Sequence, residues 1–319
     1  MRLFQNANFD FISKRKLAYM ISGALLLVGV VAGTYFQVTR GSWANYGVDF
    51  TGGTLVQVRF EESTSVGELR TLLGATMPGT EVIRFGSEDE YLIRAPQFAE
   101  QGTDVADQIV GVLEQRFAAE SFEVVRTEGV GPKIGAELQQ KALLAVFLSL
   151  AFTLIYLAIR FEWRFGVAAV IATLHDMLFA LGMISLFQIE VSLTTVAAVL
   201  TIIGYSLNDT IIVFDRIREN LKATGRRQDT FEILNRSINE TLPRTVLTSG
   251  STLTTLLALY MLGGEIIREF ALILILGIGI GTYSSVFIAA PVLLEIERRW
   301  GVRKSSPRAA RPARAGAAV

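Results

Sequence analysis

Six stretches of this chain are apolar for long enough to cross a bilayer: residues 17–36, 142–159, 165–187, 191–214, 245–262 and 270–294. Each is close to the ~20 residues a helix needs to span about 30 Å of hydrocarbon. Within lipid, backbone donors and acceptors must pair inside their own segment, so the runs predict six transmembrane helices. Three runs are broken by polar side chains: His175 and Asp176 in the third, Asn208 and Asp209 in the fourth, and a Ser/Thr series from Thr248 to Thr255 in the fifth. An even number of spans places both ends of the chain on one side.

Between the first and second spans the period of the pattern changes. Residues 54–60 alternate as a strand, and 65–73 follow with helical spacing, Ser65 as cap and Met77-Pro78-Gly79 as stop. Residues 81–85 and 91–94 read as two strands joined by a polar turn. Residues 104–117 form an amphipathic helix with Val105, Ile109, Val112, Leu113 and Phe117 on one side. A last strand covers 122–127. The order β-α-β-β-α-β is that of a ferredoxin-like α+β domain. The chain therefore divides into an N-terminal segment (1–16), a first helix (17–36), an α+β domain (37–139), helices two to six (140–297) and a basic disordered tail (298–319).

Charge orients this plan. Hydrophobic residues make up 51% and charged residues 19% of the chain, against roughly a quarter charged in soluble domains. Lys14, Arg15 and Lys16 precede the first span, and Arg160 and Arg164 separate the second from the third. Further Lys and Arg residues run from Arg216 to Arg244 and from Arg298 to Arg314, whereas the two short opposite loops carry Glu190, Glu265, Arg268 and Glu269. The bias of Lys and Arg toward cytoplasmic loops puts both termini in the cytoplasm and the α+β domain outside. That domain holds sixteen acidic and eight basic residues over 37–139, but long loops translocate largely regardless of charge. The first run is too long for a signal-peptide core and reads as an uncleaved span. The tail from Lys304 to Val319 reads as a solvated topology anchor, or as a segment held against anionic lipid or ribosomal RNA. Residues 228–242, with Phe231, Leu234, Ile238 and Leu242 at helical spacing, predict an amphipathic helix on the membrane surface.

Candidate chemistry lies inside the spans. Asp209 falls in an apolar run with Tyr205 one turn before it and Asn208 beside it. A charge at a span's centre costs roughly 2.5–3.5 kcal/mol on insertion scales, so such a residue normally carries ions or protons, or pairs with a buried group. Asp209 lies about 9 Å above the boundary marked by Asp215 and Arg216, and Arg244 stands at that same boundary. Burial favours a neutral carboxyl and a nearby guanidinium an ionised one, so a group between the two can alternate. His175 and Asp176 read either as a second stage of a proton route or as a polar contact between helices. Their side chains leave the helix about 100° apart, which argues against a common partner. Asp49, Gly52 and Gly53, at the membrane edge of the domain, read as a structural joint. Gly277, Gly279 and Gly281 read as small-residue helix packing and not as a nucleotide fingerprint, since no βαβ unit surrounds them. The chain has no cysteine and one histidine, which argues against a metal site.

Four motifs occur in order. Gly47-Val48-Asp49-Phe50-Thr51-Gly52-Gly53 precedes the first strand, and Val130-Gly131-Pro132-Lys133-Ile134-Gly135 opens the second span. The fourth span ends Gly204-Tyr205-Ser206-Leu207-Asn208-Asp209-Thr210 and continues to Asn220. The sixth contains Gly281-Thr282-Tyr283-Ser284-Ser285-Val286-Phe287-Ile288-Ala289. Together they resemble the SecF family of protein-export membrane subunits, part of the RND superfamily, over residues 10 to 300 or so. The resemblance implies a subunit of the bacterial cytoplasmic (inner) membrane that works with a SecD-like subunit beside a SecYEG-type translocon channel. It would use the proton motive force to move its periplasmic domain and promote preprotein export, with membrane lipid around it and no specific nucleic acid. It implies no cofactor beyond the coupling proton, no enzymatic activity, and a proton relay at Asp209 and Arg244. Two alternatives stand beside it. One is half of an RND-like exporter of small molecules or lipids. The other is an intramembrane aspartyl protease, disfavoured because Asp176 and Asp209 differ in depth by roughly 7 Å.

Overall fold

A computed structural model describes residues 8–96, 105–224 and 229–300 of the 319-residue chain. The tail from 304 to 319, Arg226 and Arg227, and Asp104 of the expected outer helix lie outside them. Six helices among the described residues are long and apolar enough to cross a membrane.

The first, α1 (Arg15–Arg40), stops at Gly41, whose left-handed φ of 77° lets its N–H reach the Gln37 carbonyl. Next come β1 (Asn45–Tyr46), α2 (Val48–Thr51), β2 (Gly53–Phe60), α3 (Val66–Thr76), β3 (Glu81–Arg84), β4 (Glu90–Ala95), α4 (Val105–Glu114) and β5 (Phe122–Val130). The larger sheet is antiparallel in the order β3-β4-β2-β5. That is the ferredoxin-like arrangement, in which the first and third strands of the motif lie at the centre. Val56, Val58 and Phe60 of β2 meet Leu69 and Leu73 of α3 and Ile109, Val112 and Leu113 of α4 in one core. Ser65 stands at the N-cap of α3, as its spacing suggested, although its side chain forms no capping bond.

The chain re-enters the apolar region through α5 (Pro132–Arg160), with Pro132 in its first turn, where a missing N–H costs nothing. There follow α6 (Trp163–Phe187), β6 (Glu190–Val191), α7 (Leu193–Thr224), α8 (Thr230–Leu262) and α9 (Glu265–Ser284). A π-helical turn (Ser285–Ala289) then leads into α10 (Ala290–Trp300). The apolar windows of α6, α7 and the α9–α10 span are 56%, 50% and 61% buried, whereas that of α5 is 6% buried. So α6, α7 and α9 form the bundle's centre, and α1, α5 and α8 present apolar faces outward.

The amphipathic segment 228–242 is not a separate surface helix. From Thr230 onward it is the first half of α8, which runs unbroken through Pro243. The proline removes one backbone bond, but its neighbours compensate by tertiary packing. Leu234 and Ile238 lie in a core with Ile12, Phe161, Phe214 and Ile217, so the apolar stripe is covered by protein. Asn235 and Asn239, one turn apart on α8, also bind the segment before α1. Phe9 N–H donates to Asn239 Oδ1 at 2.8 Å and Phe11 N–H to Asn235 Oδ1 at 2.9 Å. Both asparagine amides in turn donate to the Phe9 carbonyl.

A contact with no periodic signal fastens the α+β domain to the bundle. The two-residue strands β1 and β6 pair in parallel, Asn45 with Glu190 and Tyr46 with Val191. Arg94 of β4 reaches Asn45 Oδ1 at 2.7 Å and Glu190 Oε2 at 2.6 Å.

Candidate functional site

The centre of the bundle is set by how closely its helices approach. On α9, a Cβ at Gly281 would lie 3.0 Å from Ser206 Cβ of α7, and one at Gly277 would run into the Ile202 side chain. Small residues four apart allow this contact. Gly279 faces open space and takes no part. Between α1 and α6, a Cβ at Gly29 would lie 2.7 Å from the Gly182 backbone.

The close α7–α9 seam delivers hydroxyls to two carboxyl groups. Asp209 on α7 is 0% exposed. Its Oδ2 accepts from Ser249 Oγ of α8 at 3.1 Å and faces Thr282 Oγ1 of α9 at 3.4 Å. Thr282 Oγ1 in turn donates to Ser249 Oγ at 2.8 Å. Each hydroxyl has one proton to give, so the strongest arrangement is a chain from Thr282 to Ser249 to Asp209. Asp209 Oδ1 is buried without a hydrogen-bond partner, as is Thr245 Oγ1 one turn from Ser249.

Asp176 on α6 is 1% exposed and lies in a separate set of contacts. Its Oδ2 accepts from Ser284 Oγ at 2.6 Å and from Ser206 Oγ by a short bond. His175 Nδ1 lies 2.8 Å from Asp176 Oδ1. Although the two side chains leave α6 in different directions, the imidazole folds back onto the carboxyl and shares none of the serine contacts. The two carboxyls do not bond each other, and no hydroxyl bonds both.

The other expected residues fall at different distances from this centre. Tyr205 donates its hydroxyl to Thr252 at 3.1 Å, tying α7 to α8 one turn from Asp209. Asn208 is exposed and forms no hydrogen bond with Asp209. Arg244 is also exposed and makes no ion pair with Asp209; its carbonyl accepts from Thr248. Asp49 reaches across the joint, where its Oδ2 accepts the N–H of Leu193, the first residue of α7, at 2.9 Å. Gly52 and Gly53 adopt φ of 72° and 112°. A Cβ at Gly52 would meet Pro132 Cα at 2.7 Å, so the backbone passes too near α5 for a side chain. Among the described residues, no three His, Cys, Asp or Glu side chains gather as a metal site.

Single-sequence reasoning did not single out Ser206, Ser249, Thr282 and Ser284 as partners of the carboxyls. Their signal was a hydroxyl inside an apolar run, but it is ambiguous. Thr201, Thr248 and Thr254 carry the same signal and bond only carbonyls of their own helices.

Known proteins share this chain's sequence pattern and fold. A family model described as "Protein export membrane protein SecD/SecF, C-terminal" matches residues 111–299. A second, the SecD/SecF GG motif, matches residues 44–64, which include Asp49, Gly52 and Gly53. The protein translocase subunit SecF of Gemmatimonas aurantiaca is 45% identical over 100% of this chain and 96% of its own length. That of Rhodothermus marinus is 42% identical over 95% and 98%. The crystal structure of SecDF, a translocon-associated membrane protein from Thermus thermophilus, superposes with a TM-score of 0.81 at 39% identity, covering 94% of this chain. This chain spans 40% of that SecDF chain's length. The super-membrane-facing form of SecDF matches with a TM-score of 0.65 at 38% identity, covering 92% of this chain and 39% of that one. With its membrane helices, its joint motif and nearly its whole length accounted for by these relatives, the chain belongs to the SecF branch of the SecD/SecF family of protein-export membrane proteins.

Proposed function

We propose that this chain is the SecF-type half of a two-part export motor in the bacterial inner membrane, with both termini in the cytoplasm. In this reading protons entering at Asp209 drive movement of the periplasmic α+β domain and promote preprotein export at a SecYEG-type channel. The observation that carries it is the setting of Asp209: wholly buried, one oxygen unpartnered, and the other on a hydroxyl chain from two further helices. A carboxyl so placed can take or lose a proton by reorienting hydroxyls without moving backbone. Helix α7 supplies the transmission. Asp209 lies 16 residues from Leu193, about 24 Å of helix, and Leu193 is the residue that Asp49 of the domain holds. Each proton crossing 100 mV supplies roughly 2.3 kcal/mol, comparable with one such contact. Arg244, exposed in this conformation, would approach Asp209 in another state of the cycle. The outward apolar faces of α1 and α5 suit a SecD-like partner and lipid.

The test is Asp209→Asn in proteoliposomes holding the subunit with its partner and channel. The variant should insert and copurify normally yet lose the increment of export that depends on the proton gradient. Retention of that increment in full would exclude the relay.

A further inference from the structure

We infer that Asp176 and His175 form a second proton-holding site, set beside Asp209 by the helix pair α7–α9. This inference rests on the reading of Asp209 as a proton carrier and extends it to a carboxyl on a third helix. The hydrogen-bond inventory around Asp176 balances in both protonation states. Ser284 Oγ lies 2.6 Å from Asp176 Oδ2 and also 3.1 Å from the Gly281 carbonyl, so its single proton has two acceptors. With Asp176 ionised, Ser206 and Ser284 both donate to Oδ2. With Asp176 neutral, the carboxyl proton on Oδ2 is donated to Ser284 Oγ, Ser284 turns its own proton to the Gly281 carbonyl, and Ser206 goes on donating to Oδ2. Neither state leaves the carboxyl or its serines unsatisfied, and the exchange needs only the rotation of a hydroxyl. A contact serving structure alone needs one such arrangement.

His175 gives the pair a second port. The residue is 8% exposed, yet Nε2 has no hydrogen-bond partner. With Nδ1–H donated to Asp176 Oδ1, Nε2 keeps a free lone pair that can receive a proton. The proton can then pass through the ring, entering at Nε2 as the Nδ1 proton moves to Oδ1, which neutralises the carboxylate and leaves the ring itself uncharged.

Among the described residues, no ionisable side chain other than His175 lies within ion-pair distance of Asp176. Ionisable groups on the helices packed against α6 are engaged elsewhere or exposed. Asp209 of α7 binds Ser249, Tyr283 of α9 donates to the Ala18 carbonyl, and Glu297 of α10 pairs with Arg164. Arg160 of α5 pairs with Asp215, and Tyr19 of α1 is exposed. The two carboxyls are nevertheless read by the same helices. Ser206 and Asp209 stand three residues apart on α7, and Ser284 and Thr282 two apart on α9. Sliding of α9 along α7 therefore alters the donors of both at once.

Infrared difference spectra of the reconstituted subunit and its partner, recorded across a pH titration, test the inference. We expect a protonated-carboxyl band that survives Asp209→Asn and disappears in Asp176→Asn. Ser284→Ala, which leaves the carboxyl in place, should shift the midpoint of that band, and His175→Gln should shift it by about one pH unit or more. A titrating band untouched by Asp176→Asn, or an unmoved midpoint in both Ser284→Ala and His175→Gln, would overturn the inference. Since the band is read in the Asp209→Asn background, its presence or absence is independent of whether Asp209 itself drives export.

Discussion

Removing the Asp49 carboxylate should loosen the N-terminal end of α7 by a predictable amount. In the parent chain Asp49 Oδ2 accepts the Leu193 N–H at 2.9 Å, and this donor has no partner within its own helix. Losing a side-chain cap of this kind costs about 1 kcal/mol, and losing a negative charge at a helix N-terminus about 0.3–1 kcal/mol more. Asp49→Ala should therefore cost about 1–2 kcal/mol at the joint, or about 5- to 30-fold in the equilibrium between closed and open forms. Asp49→Asn keeps an acceptor and loses only the charge, for about a two- to fivefold effect. Hydrogen exchange, followed by mass spectrometry on peptides covering residues 189–197 of the reconstituted protein, reads this directly. Protection should fall in the order parent, Asn, Ala, while peptides from β2 and β4 stay as they were. Equal protection in all three proteins would refute the idea that the domain holds α7 through this carboxylate.

Gly29→Ala should lower the thermal stability of the purified protein by about 1–3 kcal/mol, because its Cβ meets the Gly182 backbone and α1 and α6 must separate; an unchanged melting midpoint would contradict the close approach. Arg94→Ala strips the charged partner from Glu190 and should cost about 3 kcal/mol at the β1–β6 contact, read as faster exchange of residues 45–47. Arg94→Lys should recover only part of this, since a lysine cannot serve Asn45 and Glu190 together as the guanidinium fork does. The double variant Asn235→Ala, Asn239→Ala should release the segment before α1 to protease, at about 1–3 kcal/mol for its main-chain bonds, and resistance equal to the parent would show that packing of Phe11 alone holds it.

Much of the architecture could be read from the order of residues because lipid permits few solutions. Apolar runs of span length have to be helices, and the alternation in β2 together with the stripe in α4 was enough to order the α+β motif. Asp209 stood out because a carboxyl within such a run is costly. Its surroundings were not legible for a geometric reason. Whether a serine faces a neighbouring carboxyl or its own helix depends on helix rotation, which the α7–α9 contact at Gly277 and Gly281 fixes. The β1–β6 pair joins two-residue strands 145 positions apart, too short to show any period. Residues 228–242 and 245–262 read as two separate helices, but the packing of Leu234 and Ile238 carries one helix through Pro243. Arg244 came from family resemblance; its side chain is exposed and forms no ion pair with Asp209, although its charge is near enough to act on that carboxyl.

The π-helical turn at Ser285–Ala289 comes immediately after the residues that serve both carboxyls. Each of its loops encloses one residue more than an α turn, which offsets everything beyond it by about 100°. Ile273, Leu274 and Ile278 before the turn pack in one cluster, and Leu293, Leu294 and Ile296 after it pack in another. The turn thus works as a vernier, letting one span match two clusters whose angular requirements differ. Excising Val286 alone would straighten the winding and swing Leu293 and Leu294 out of register, with Thr282 and Ser284 still in place.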